Sequence, residues 1–460
     1  MRLYIPILLI QLMTFSNTVQ SVEQEALSEQ QISSNDDVMT HAQLLFTNSS
    51  EARKIALDWM VERNKTDVIP VLIYALRYLE NEEGRISNAL KKLTGENKSG
   101  RWFDWMLWQQ AHPENKPFAE FSEFQSILFS QIDPNFKTFI YPEVEHEIRL
   151  EEITWGGVAK DGIPALTNPE LIDTKSATYL SDDEPVFGVA INGDVRAYPY
   201  RIMDWHEMFN DVIGGVPVSL AYCTLCGSAI LFDTRVEGRD EPFVFGSSGF
   251  LYRSNKLMYD KQTHSLWNQF TGRPVVGDLT GSGIELNVLP VVTTTWGKWK
   301  QQHPNTKVLS LKTGFRRDYS PGKAYGRYFN SPNLMFPALT PDERLNPKDQ
   351  VFGLRMTGVE KAWPLTHFEG GKVINDRVGV IQLVLIGDSE SRTVRAYRSN
   401  GLKFNKHNES LDTIQENGNT WKVTETDLIR PDNQRLSRLP GHLAFWFAWS
   451  GYLDKAEFYE

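Results

Sequence analysis

Residues 186–200 read VFGVAINGDVRAYPY, and 165 residues later 351–365 read VFGLRMTGVEKAWPL. Held at that offset without a gap, both keep Val, Phe, Gly, a second Gly, Ala and Pro. Further on, Asn210-Asp211 falls on Asn375-Asp376 and Gly214 on Gly379. Each stretch is a β-branched and aromatic run broken by Gly and closed by Pro, the pattern of strand, turn, strand. A second block repeats at an offset of 150: Leu286, Leu289, Pro290, Trp296 and Trp299 fall on Leu436, Leu439, Pro440, Trp446 and Trp449. Two collinear blocks argue for a tandem duplication of a mainly β unit. The expected copies are 155–335 and a shorter, degenerate 336–460.

Upstream the texture differs. Residues 52–61 (ARKIALDWMV) and 68–79 (VIPVLIYALRYL) carry apolar residues at i, i+3, i+4 spacing, interrupted by Lys65-Thr66-Asp67. Trp102, Trp105 and Trp108 follow at helical spacing and read as a packing stripe. Residues 41–140 are therefore expected to be a small all-α region resembling HEAT-like helical repeats. The fold class expected for the whole chain is strand-rich α+β.

The N-terminus starts Met1-Arg2, continues with a largely apolar run over 3–15, and reaches Val19-Gln20-Ser21. Those are the parts of a secretory signal peptide over 1–21, and the run is short of the ~20 residues of a membrane span. A polar Gln/Ser/Asp-rich linker is expected over 22–40. The expectation is an exported protein, periplasmic or extracellular, with no stable membrane insertion after signal cleavage. A net charge of −10 and the lack of a basic run disfavour nucleic acid as a partner. The partner expected is a small molecule or protein whose identity the sequence leaves open.

The chain of 460 residues holds two cysteines, both in Tyr222-Cys223-Thr224-Leu225-Cys226-Gly227. A disulfide there would close a four-residue loop and contribute under about 2 kcal/mol, little for a chain of this size. Chemistry explains the pair better than stapling. Residues 216–222 (VPVSLAY) and 229–232 (AILF) read as strands joined by this turn, the shape of a metal knuckle. His206, in the helical stretch RIMDWHEMFND, is the nearest imidazole, and Glu207 stands beside it as general base or supporting carboxylate. Cys223, Cys226 and His206 make a candidate site for copper or zinc. Met258, Asp260, His264, Trp267, Gln269 and Tyr198 are candidates to line a pocket around it. Gly246-Ser247-Ser248-Gly249 reads as a hairpin turn. At the repeat offset Gly371, Lys372 and Asp388 stand where His206, Glu207 and Cys223 are, so the polar set belongs to the first copy alone.

With these residues assembled, the chain resembles a largely bacterial family catalogued as domain of unknown function 3179. The resemblance rests on R-A-Y-P at Arg196 to Pro199, H-E-x-x-N-D at His206 to Asp211, Y-C-x-L-C-G at Tyr222 to Gly227, and D-x-x-T-x-S-L-W-x-Q at Asp260 to Gln269. Thr224 replaces the proline common in that family's Y-C-P-L-C. The resemblance covers about 155–460 and implies no established activity. Three functions stay open: a metal-dependent oxidoreductase or copper-handling protein, a metal-free thiol–disulfide protein, and a non-catalytic carbohydrate- or peptide-binding module around Tyr198, Tyr252 and Trp267.

Overall fold

The computed structural model describes residues 37–460 apart from 357 and 454. The signal peptide and the linker as far as 36 lie outside the described residues. The first helix, Val38–Leu45, is capped by Asp37, whose side chain accepts from the Thr40 N–H; it begins inside the stretch read as linker.

Five further helices follow: Ser50–Arg63, Ile69–Tyr78, Glu83–Thr94, Trp102–Ala111 and Phe121–Ser130. Ser49 caps the first of these and Asn64 ends it in the left-handed conformation. Pro70 opens Ile69–Tyr78, where a missing N–H costs nothing. Trp105 and Trp108 are buried, as a packing stripe requires. The helical core does not close on itself. It runs on through Phe250, Tyr252, Leu257, Tyr259 and Leu266, so the helices share one apolar layer with the sheet of Ile153–Trp155, Phe245–Tyr252, Asn255–Asp260, Leu266–Asn268 and Arg273–Val276. Tyr74 joins the two, donating to the Ile153 carbonyl at 2.6 Å.

The rest of the chain is strand-rich, which makes the fold α+β. Among the described residues no helix is long and apolar enough to cross a membrane. One sheet runs Val292–Thr295, Pro185–Ile191, Asp194–Pro199, Lys307–Leu309, Leu171–Asp173. Another runs His442–Phe445, Gln350–Met356, Val359–Pro364, Glu457–Phe458. Their registers correspond pair by pair: Val292 opposes Gly188 as His442 opposes Gly353, and Val186 opposes Pro199 as Val351 opposes Pro364. The closing parallel pairs, Lys307 with Arg196 and Glu457 with Lys361, keep the same offsets. Gly188 lies under the Trp299 ring and Gly353 under the Trp449 ring, and a Cβ at either would overlap the indole. That close approach is why both strands carry glycine after Val-Phe.

The neighbouring strands correspond as well. Met208–Ile213, Val216–Cys223, Ser228–Asp233 and Asn287–Leu289 pair in that order, as do Lys372–Val378, Ile381–Asp388, Thr393–Arg398 and Arg435–Leu439. Asn210 exchanges two hydrogen bonds with the Phe245 backbone, and Asn375 does the same with Phe404. Asp211 holds Arg196 and Tyr198; Asp376 holds Lys361 and Trp363.

Two local expectations need correction. The segment 246–249 is not a turn: it lies inside the fully buried strand Phe245–Tyr252. Its Gly246 is small because Tyr259 and Asp161 leave no room for a Cβ. The hairpin turn is Arg253-Ser254, both at positive φ without a glycine. The helix carrying His206 spans Tyr200–His206 only; Phe209 already belongs to the next strand.

Candidate functional site at the Cys223–Cys226 turn

Val216–Cys223 and Ser228–Asp233 are buried along nearly their whole length, and the turn between them is closed by Cys226 N–H donating to Cys223 O at 3.1 Å. Gly227 completes it at φ +59. The turn thus folds as read, with both cysteines present as thiols and buried. Their Sγ atoms stand 2.8 Å apart.

Three segments roof the pair. The hairpin tip puts the Ser254 carbonyl 3.5 Å from Cys226 Sγ and 3.9 Å from Cys223 Sγ. Tyr328 donates to Leu225 O at 2.6 Å. From the second sheet group, Phe445 N–H donates to Cys226 O at 2.7 Å, and its ring packs on Gly227.

Asn255 Nδ2 donates to Cys226 Sγ at 3.2 Å and to Gln269 Oε1 at 2.9 Å. Gln269 Nε2 donates to the Ala221 and Ser228 carbonyls, which fixes its oxygen toward Asn255. Gln269, expected from sequence near the sulfurs, acts there through Asn255, which the sequence reading missed. Ser254 Oγ and Asn255 Oδ1 are buried with no hydrogen-bond partner among the described residues.

Glu207 caps the short helix from the left-handed region at φ +53. Its Oε1 accepts from Thr224 Oγ1 at 2.9 Å and Tyr325 OH at 3.0 Å, and Oε2 pairs with the buried Lys256 ammonium at 3.0 Å. Glu207 is therefore tied to the cysteine turn through Thr224, as its place in the motif suggested. Lys256 and Tyr325 were not foreseen. The one available signal was a lysine directly before the apolar run Leu257-Met258-Tyr259, in the strand Asn255–Asp260, every residue of which is buried.

His206 turns elsewhere. Its Nδ1 meets the Pro164 carbonyl at 2.8 Å and its Nε2 meets Tyr319 OH at 2.6 Å. Both nitrogens are engaged away from the sulfurs, and among the described residues no three His, Cys, Asp or Glu side chains gather as metal ligands. The structure brings together Cys223, Cys226 and, through Thr224, Glu207; it does not bring His206 to the thiols.

The other candidates are framework. Met258 and Trp267 are buried in one apolar cluster, and Tyr198 is buried in another. Asp260 accepts from Trp267 Nε1 at 2.8 Å and from Thr263, shaping the turn in which His264 takes φ +60. Tyr198, Tyr252 and Trp267 line no open cleft, since all three are buried.

Electrostatics set the sulfur chemistry. Burial pushes the Cys226 thiol well up, and the neighbouring Cys223 sulfur and the Glu207 charge push the same way; the Asn255 N–H opposes them. Burial likewise raises the Asp204 carboxyl to about 7, against the Tyr222 hydrogen bond, with Glu207 adding to the rise. The pocket as built favours neutral sulfur over thiolate.

No curated protein matches the chain, and no solved structure does. Residues 160–456 match a family model described as a protein of unknown function (DUF3179). That span takes in both strand-rich units, the thiol turn of the first included, and leaves out the helices of residues 38–130, and on its strength the chain belongs to the DUF3179 family.

Proposed function

We propose that the chain is an exported thiol–disulfide protein whose redox pair is Cys223 and Cys226. The observation that carries this reading is the 2.8 Å sulfur separation with both His206 nitrogens engaged elsewhere. Two thiolates on one tetrahedral zinc, each at about 2.3 Å, stand about 3.8 Å apart, so metal capture has to spread the pair and recruit further ligands. Disulfide formation closes the same gap to about 2.05 Å and needs no further ligand from the protein, its two electrons passing to a partner disulfide. Both states of the pair, dithiol and disulfide, are uncharged, which suits the dry pocket.

In exchange, a partner thiolate attacks one sulfur of the oxidised pair, forming a mixed disulfide while the other sulfur leaves as thiolate. The partner's second thiol then attacks the mixed disulfide, closing the partner's own disulfide and releasing the remaining cysteine sulfur, and each cysteine sulfur takes up a proton. Asn255 is placed to stabilise the anion on Cys226. Because Tyr328, Phe445 and the 253–254 turn cover the sulfurs, exchange needs one of these roofs to part. In this reading the second strand-rich unit is a duplicated copy that has lost the thiols and serves as a wall. At the position of Cys223 it carries Asp388, which binds Ser391 at 2.7 Å and Lys298 of the first unit.

The test is elemental analysis of the full chain together with thiol alkylation and mass spectrometry across a glutathione series. A reversible two-electron change confined to Cys223 and Cys226, with metal well below one equivalent, supports the reading. Stoichiometric copper or zinc that is lost in Cys223→Ser overturns it in favour of the metal site.

A further inference from the structure

The thiol chemistry uses neither His206 nor the loop it touches, so a role for that pair stands or falls separately from the thiols. The Pro164 carbonyl can only accept, so His206 Nδ1 carries the proton at its 2.8 Å contact. Nε2 then presents a lone pair, and Tyr319 OH donates to it at 2.6 Å. Tyr319 in turn meets Thr313 Oγ1 at 2.6 Å. An oriented base on a hydroxyl is the arrangement of nucleophile, base and orienting group.

The loop is pinned over the Tyr200–His206 helix by Trp205 Nε1, which donates to Asp318 O at 2.8 Å. His206 is fully buried, whereas Tyr319 is partly exposed, so the pair has a buried end and an open end. The loop is Lys312-Thr313-Gly314-Phe315-Arg316-Arg317-Asp318-Tyr319. Lys312, Arg316 and Arg317 are exposed, and none forms an ion pair among the described residues. Arg317 lies over the Trp205 ring at 5.7 Å, and the loop 312–319, with Asp318 its one acid, is net positive in a chain whose net charge is −10.

We propose that Tyr319 is the nucleophile of a phosphoryl-transfer site, with His206 as its base and Lys312, Arg316 and Arg317 as the cations that hold an anionic phosphate ester or anhydride. In the step, Tyr319 Oη bonds to phosphorus while the bond from phosphorus to the leaving oxygen breaks. The phenolic proton passes to His206 Nε2, and the leaving oxygen, in line on the far side of phosphorus, takes its proton from solvent. Water then attacks the tyrosyl phosphate from the outer side and loses its proton to solvent, while His206 Nε2–H returns its proton to the departing phenolate oxygen, restoring the phenol and releasing phosphate.

The full chain is treated with N-acetylimidazole, a neutral acylating probe, and each tyrosine is followed by peptide mass spectrometry. Tyr319 is expected to acetylate at least tenfold faster in the native chain than in His206→Gln. Inorganic phosphate at millimolar concentration is expected to slow it severalfold, and Arg316→Gln/Arg317→Gln to remove most of that slowing when the variant's rate with phosphate is compared with its own rate without it. A Tyr319 rate unaltered by His206→Gln overturns the phenol–imidazole pair. A fast rate indifferent to phosphate overturns the anionic substrate class. Should His206→Gln fail to fold, NMR of the native chain labelled with 15N-histidine decides. Protonation at Nδ1 with a hydrogen-bonded Nε2 is expected, and the reverse tautomer overturns the proposal.

Discussion

The Phe445 N–H donates to the Cys226 carbonyl at 2.7 Å, so the thiol turn of one strand-rich unit is held by the backbone of the other. The second unit leans on the first nearby: Thr393 Oγ1, opening the strand after the corresponding turn, donates to Thr294 Oγ1 of the first at 2.9 Å. Each turn is covered by the strand preceding the other unit's Trp helix. Phe445 adds its ring over Gly227 and is 7% exposed. Phe445→Ala should uncover the thiols, raising their reaction rate with an aromatic disulfide reagent at least tenfold in the native chain. It should also cost about 3–5 kcal/mol in urea unfolding. An unchanged thiol rate would show that access runs past the hairpin tip instead.

Gly188 and Gly353 sit beneath Trp299 and Trp449, with no room for a methyl group under either indole. Gly188→Ala and Gly353→Ala should each destabilise by roughly 1–3 kcal/mol or more, since neither ring can retreat from a fully packed core. Gly193→Ala, at a turn with open space around it, separates the two causes. It should cost only the strain of its φ of +85. Chemical denaturation of the three variants checks the order.

The fold was legible wherever a short-range rule sufficed. Strands at 216–223 and 228–233, the Gly227 turn and the helices at 50–63 and 69–78 follow from periodicity, caps and one proline. The site was legible only along the chain. Cys223, Cys226 and Glu207 are neighbours through a hairpin, and their grouping could be read. Lys256, Asn255, Tyr325 and Phe445 arrive from distant segments, and no local pattern marks which side chain meets the turn. His206 misled for the same reason. A residue and its neighbour at a helix end diverge, so Glu207 reaches Thr224 while His206 reaches Tyr319. The glycine pair at 246 and 249 misled because glycine signals close packing as well as turns.

The Glu207–Lys256 pair is buried on both sides, with side chains 9% and 4% exposed. Removing one partner strands the other charge away from water. Glu207→Gln should therefore destabilise by about 3–5 kcal/mol, while Glu207→Gln/Lys256→Met should recover most of the loss. Calorimetry of the single and double variants measures the coupling. Equal stability of the single variant would mean that Thr224 and Tyr325, not the ion pair, hold Glu207.

His442 supplies an acid sensitivity. It occupies the place that Val292 holds in the first unit, and it packs against Phe270 and Trp449 with its Nδ1 at 3.1 Å from Leu443 O. Burial lowers it from 6.5 to about 4, the Leu443 hydrogen bond opposes the shift, and the Arg355 charge adds to it. Its folded pKa is thus below its unfolded one, and the unfolded chain binds the extra proton between them. Stability from this group is complete above pH 6.5 and is lost as pH falls toward 4, by on the order of 3 kcal/mol. His442→Val should flatten the pH dependence of unfolding over that window while leaving stability at pH 8 nearly unchanged. A slope between pH 6.5 and 4 that persists in His442→Val would assign the acid sensitivity to another group.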